Sequence, residues 1–193
     1  MATIRNNLLT LPLITLLSAC GSQNLKPIDT VEHVDLKRFM GDWYVIANIP
    51  TFIETNAYNA IETYKMNEDG SIATTFTFRQ GSPEGNRKQY NPTGFIVDQQ
   101  SNALWDMQFI WPFKAEYRVI YLDDDYQTTI IGRSKRDYVW LMSRKTGMGE
   151  NSYRSLLRFI QSQGYDIDKV QKVPQVWLQK SETARDLKEV KAQ

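Results

Sequence analysis

Gly41-Asp42-Trp43-Tyr44 marks the point where a polar lead-in gives way to residues of alternating character. Gly41 permits a tight backbone turn, and Trp43 puts a large aromatic at the first inward position of the next strand. Trp43, Val45 and Ala47 alternate with Asp42, Tyr44 and Ile46, a period of two with apolar groups on both faces, until Pro50 ends the run. One such strand specifies no fold. Its repetition downstream does.

Beyond the Thr51 to Tyr58 loop, the pattern predicts strands over Ile61 to Met66, Ser71 to Arg79, Lys88 to Val97, Ala103 to Ile110, Ala115 to Leu122, Gln127 to Ser134 and Tyr138 to Arg144. Turn chemistry separates them, as at Asn67-Glu68-Asp69-Gly70 and Asp123-Asp124-Asp125-Tyr126. Pro92 and Gly94 predict a bend or bulge in the fourth, and a bend helps a sheet curl. Eight strands at short spacing with short links predict an all-β, antiparallel up-and-down β-barrel. From Asn151 to Gln163 the period changes. Tyr153, Leu156, Leu157 and Ile160 share a helical face and Gly164 stops it, which predicts one C-terminal α-helix packed outside the barrel. A helical turn fits just before Gly41, within Val34 to Met40, and a short final strand fits within Tyr165 to Leu178.

Upstream, Arg5 followed by an apolar run from Leu8 to Leu17 has the form of a signal peptide. The run ends in Leu17-Ser18-Ala19-Cys20, and Cys20 is the only cysteine of the 193 residues. This resembles the lipobox of bacterial lipoproteins, which implies cleavage before Cys20 and lipidation there. Gly21 comes next, not the aspartate that favours inner-membrane retention in enteric bacteria, so the resemblance implies a lipid-anchored, periplasm-facing protein of the outer membrane. The organisation read from these signals is a signal peptide over 1–19, a lipidated tether over 20–33, a barrel plus helix over 34–178 and a flexible tail over 179–193. Two or more acyl chains anchor stably.

Composition narrows the function. The formal charge is +1, and loss of Arg5 leaves 22 basic against 22 acidic residues. No basic stripe for nucleic acid is present. His33 is the only histidine and falls in the tether, which excludes a Ser-His catalyst and a multi-histidine metal site by count. Asp123, Asp124 and Asp125 lack the alternate-ligand spacing of a calcium loop. No metal, cofactor or catalytic constellation is expected.

In the eighth strand, Tyr138, Trp140, Met142 and Arg144 share one parity. If Trp140 and Met142 point inward, so does Arg144, and an inward guanidinium needs a partner. Trp43 opens the first strand and Arg144 ends the eighth, so in a closed antiparallel meander they meet at one end, where cation-π stacking would join them. Gly41-x-Trp43, Asp124-Asp125-Tyr126 and Arg144 followed by a helix, in this order, resemble the lipocalin family. The run Arg136 to Arg144 together with the lipobox is similar to its bacterial outer-membrane lipoprotein members, related to apolipoprotein D. Gly41, Trp43 and Arg144 are then closure residues and stay off the ligand list.

The same parity argument turns Phe76, Phe78, Trp105, Met107, Phe109, Tyr117, Val119, Tyr121, Trp140 and Met142 inward. These side chains would either fill the barrel or line a cavity, and the family resemblance favours a cavity for a fatty acid or lysophospholipid. Burial of a sixteen-carbon tail is worth on the order of 10 kcal/mol gross, at about 0.8 kcal/mol per methylene. Ordering of the tail offsets much of it. Tyr117, Tyr121 or Arg118 are candidates for the polar head. The resemblance implies a carrier that is not an enzyme and serves membrane maintenance under stress. The competing readings are a lipid-modifying enzyme of the same fold and a structural envelope lipoprotein, including a homodimer formed through exposed loops such as Trp111-Pro112-Phe113.

Overall fold

The computed structural model describes Leu25 and residues 27–177. The residues read as a signal peptide, Cys20 and the 179–193 segment read as a tail lie outside the described residues. A turn of helix, α1 (Leu36–Phe39), leads into β1 (Gly41–Ile49), β2 (Ala57–Met66), β3 (Ile72–Gln80), β4 (Arg87–Tyr90), β5 (Thr93–Ile96), β6 (Leu104–Ile110), β7 (Phe113–Leu122), β8 (Thr128–Gly132) and β9 (Val139–Ser143). The helix α2 (Glu150–Ser162), a 3-10 turn over Ile167–Lys169 and the two-residue β10 (Gln171–Lys172) complete the chain order. All pairings are antiparallel and most join sequence neighbours; β1 pairs with β9 to close an eight-stave barrel and with β10 beyond it. β4 and β5 are halves of the fourth stave. It breaks at Asn91-Pro92, where proline cannot donate to the ladder, so β5 bridges β3 and β6 while β4 pairs with β3.

Two apolar clusters share the sheet. The inner one holds Trp43, Tyr64, Phe76, Phe78, Trp105 and Met142. The outer one joins Ile130, Val139 and Leu141 of the wall to Tyr153, Leu156 and Ile160 of α2. α2 thus covers the odd-numbered parity of β9, and the even parity lines the interior. Gly164, with φ of +88°, ends this segment as expected of a residue without a Cβ.

Three departures from strict alternation matter. A bulge in β1 between Val45 and Ala47 sends Ala47 and Ile49 to the outer cluster. A second bulge, in β7 between Val119 and Tyr121, turns Tyr121 out onto Phe159 of α2, with ring centroids 5.5 Å apart. Tyr121 is therefore not inward, because an extra residue inverts the parity of every later position in the strand. Third, β1 and β2 pair only from Gly41 to Tyr44, and the C-terminal segment occupies the gap above. There Val173 N donates to Ile46 O, and Gln175 Nε2 donates to Val45 O and Ala60 O.

The segment read as a free tether is docked from residue 28 onward. Ile28 is buried in the outer cluster, Val31 N donates to Val119 O, and Arg118 Nη1 donates to Ile28 O at 3.0 Å. That contact puts Arg118 on the outer wall, away from any ligand head inside. His33 stays exposed beside Gln100 O.

Gly132 marks a close approach between wall and chain. A Cβ there would lie 2.7 Å from Tyr165 Oη and 2.9 Å from Ile120 Cδ1. Tyr165 cannot step aside freely, since its hydroxyl accepts from Arg133 N and donates to Arg133 O. Gly132→Ala is expected to cost about 1–3 kcal/mol by overpacking. A denaturant midpoint equal to that of the parent would show that the corner can yield.

Candidate functional site

One end of the barrel is sealed by aromatic packing. Phe39 lies 5.1 Å from Trp43, and Trp105 meets both Phe39 and Tyr64 edge-on at 5.5 and 5.7 Å. Trp43 Nε1 donates to Phe39 O, so the indole is satisfied without solvent. Arg144 closes the seal from below. Its guanidinium carbon stands 3.8 Å from the Trp43 ring, Nη1 donates to Asp42 O, and Nη2 faces the carbonyls of Arg38, Phe39 and Met40 at 2.9 Å each. Gly41, at φ of +92°, brings its backbone against that guanidinium; an added Cβ would be 3.5 Å from Nη1.

Above the seal is a cavity of about 380 Å³. Of the residues predicted to face a ligand, Phe76, Met107, Phe109, Tyr117 and Trp140 line it. The other five do not. Trp105 is fully buried in the seal and stacks on Tyr117 at 5.2 Å. Phe78 lies in the wall between Phe76 and Tyr90, Val119 and Met142 are buried behind the lining, and Tyr121 is outside. Inward parity is shared by residues that build the floor and residues that face the void, so parity alone could not separate the two.

The loop after β1 adds Phe52, Ile53 and Glu54 to the lining. The mouth is apolar: Phe52, Ile110 and Phe113 are exposed there, and neighbouring Trp111 is 81% exposed. The remaining lining includes Tyr90, Lys114, Arg133, Tyr138 and Glu62. Glu62 was legible in principle, since Ala60, Glu62 and Tyr64 share a parity on β2 and the outer two are apolar. Glu54 and Phe52 come from a loop with no period, and nothing local marks them.

The interior holds two buried acids. Burial raises the Glu62 carboxyl to about 7, a hydrogen bond from Tyr64 opposes the rise, and the nearby Glu54 adds to it. Burial likewise raises Glu54, against hydrogen bonds from Thr51 N at 2.8 Å and Trp140 Nε1 at 3.2 Å. The hydroxyls of Tyr64 and Tyr117 are bonded to each other, and burial pushes both phenols well above their ordinary value. The two cations of the lining are drawn elsewhere. Arg133 Nη1 pairs with Asp137 at 3.1 Å, and Lys114 Nζ lies 4.1 Å over Phe95. Among the described residues no cluster of His, Cys, Asp or Glu could hold a metal ion, and no helix is long and apolar enough to cross a membrane.

The family described as "Lipocalin-like domain" matches residues 34–175. A temperature-induced lipocalin of Arabidopsis thaliana is 33% identical over 159 residues, which cover 78% of this chain and 84% of that one. The outer membrane lipoprotein Blc of Citrobacter freundii is 29% identical over 156 residues, covering 80% and 88%. Among solved structures, insecticyanin of the tobacco hornworm Manduca sexta superposes with a TM-score of 0.59 at 17% identity, covering 81% and 86%, which speaks for the fold alone.

Proposed function

The chain belongs to the lipocalin family, and from that premise we propose that its barrel stores or carries single-chain lipids, fatty acids or lysophospholipids, for membrane maintenance under stress. Family membership implies binding of a hydrophobic ligand. The observation that carries the finer reading is the cavity itself, sealed by aromatics below and apolar at its mouth. Its volume of about 380 Å³ falls within the roughly 300–1,000 Å³ of small-molecule sites. Its lining lacks a thiol, so the nucleophile that a synthase-type lipocalin enzyme would use is not among its residues. We place the protein at the outer membrane, facing the periplasm, with acylated Cys20 as its anchor. The sequence around Cys20 and the outer membrane lipoprotein among its relatives support that placement.

Native mass spectrometry after gentle extraction tests the reading: a co-purified lipid supports it, and a turned-over product speaks for an enzyme. Phe109→Ala and Trp140→Ala are each expected to weaken lysophospholipid binding on the order of tenfold, through loss of apolar contact area. Phe109 is half exposed at the rim, so its truncation spares the fold. Unchanged affinity of both variants by titration calorimetry would move the ligand out of this cavity.

A further inference from the structure

Two carboxylates share the cavity, and no ion pair reaches either of them among the described residues. Glu62 is 7% exposed, lies opposite Phe76 across the β2–β3 ladder and level with Trp43 across β1–β2, and so faces the cavity deep above the seal. Tyr64 bonds to it, whereas an ionised carboxylate accepts at about four positions. A buried charge is ordinarily paired or neutralised. Burial raises Glu62 to about 7, so above that pH it is a buried charge without an ion pair among the described residues, and a purely apolar tail laid over it would supply no partner.

Resting on the lipid-carrier reading, we propose that Glu62, with Glu54 nearby, forms a cation subsite for the ammonium group of a single-chain amphiphile, which enters head first. The aromatic surroundings suit that charge: Tyr117 and Trp140 stack at 6.5 Å beside the acids, and aromatic faces attract cations. Lys114 lies over Phe95 and Arg133 Nη1 pairs with Asp137, so neither lining cation is ion-paired with the two acids. The tail then runs out along Phe109, Ile110 and Phe113, apolar lining residues exposed at the mouth. Such a lipid reverses the common arrangement of tail in and head out.

The groups facing Glu62 are Tyr64, Tyr117 and Glu54; Arg133 and Lys114 also line the cavity. The phenols stay neutral, and Glu62, raised to about 7, changes charge inside the barrel between about pH 5.5 and about pH 8. The test compares hexadecylamine, hexadecanol and hexadecanoate on delipidated protein by titration calorimetry. At about pH 8 the amine is expected to bind ten- to a hundredfold tighter than the alcohol, the range of a charge-assisted bond. The ratio falls toward one at about pH 5.5, and Glu62→Gln, which leaves only Glu54, removes most of the preference at about pH 8. Near pH 7, binding of the amine releases protons as Glu62 ionises. If the acid and alcohol bind but the amine has no advantage at about pH 8, or keeps it in Glu62→Gln, the cation subsite is wrong and the carrier reading stands. If none of the three binds, the carrier reading itself fails.

Discussion

Arg144→Ala is expected to lower stability by about 3 kcal/mol or more while leaving the cavity lining intact. The guanidinium covers Trp43 at 3.8 Å and supplies donors to the Asp42, Arg38, Phe39 and Met40 carbonyls. Cation-π stacking is worth about 0.5–2 kcal/mol, and loss of the charged donor from the partly buried Met40 carbonyl adds about 1.5 kcal/mol or more, while Phe39 O keeps Trp43 Nε1 and the other two carbonyls are exposed. These contacts tie β9 to α1 and to the start of β1, the seam where the barrel closes, so their loss is felt by the whole sheet. Arg144→Lys keeps the charge but not the planar fork, and should recover less than half of the loss. Urea denaturation read by tryptophan fluorescence measures both. A loss below about 1 kcal/mol for the alanine variant would mean that β1–β9 pairing holds the seam without the arginine. Trp43 itself is fully buried and outside the cavity lining, so Trp43→Ala belongs with Arg144→Ala as a change of stability.

How far the sequence carries can be judged at individual residues. The β3 alternation places Ile72, Thr74, Phe76 and Phe78 inward, and all four are buried. The pairing of Trp43 with Arg144 is legible from parity and strand order alone, because a closed antiparallel meander brings the start of the first strand beside the end of the last. Tyr121 shows where that reasoning stops. A bulge leaves no trace in the polarity of Val119-Ile120-Tyr121, yet it reverses every side chain beyond it. Trp105 shows a second limit: its direction is legible, but its depth is not, since depth depends on which rings of α1, β2 and β7 meet it.

The site was less legible than the fold for a related reason. Five of its apolar residues are visible as inward aromatics or Met107, but its character comes from Glu54 and Glu62. An acid on a strand reads as a solvated face unless its neighbours of like parity are apolar. Glu62 satisfies that condition between Ala60 and Tyr64, so a strict parity reading of β2 finds it. Glu54 has no such frame. Its burial comes from the folding of the loop after β1 over the mouth, where Thr51 N and Trp140 Nε1 capture the carboxylate.

Glu62→Gln should stabilise the protein at about pH 8 and do little at about pH 4. In the unfolded chain the carboxyl has its ordinary value of 4.5, and in the folded protein burial raises it to about 7. Between those values the folded state holds a proton that the unfolded state has lost, so stability falls as pH rises through the window and is flat above it. At about 1.4 kcal/mol per pH unit, the gap corresponds to roughly 3 kcal/mol of penalty near pH 8. Glutamine keeps the shape and a hydrogen-bonding amide but cannot ionise, so it removes the pH-dependent part. Burial also raises Glu54, which adds a slope of the same sign that survives in the variant. Unfolding midpoints at several pH values, for parent and variant, give the difference directly. It should open between about pH 5 and about pH 7 and then stay constant. Parallel curves across that range would mean that Glu62 is ionised and compensated in the free protein, by solvent entering through the mouth. The same result would deprive an incoming ammonium of the uncompensated charge that is argued to attract it.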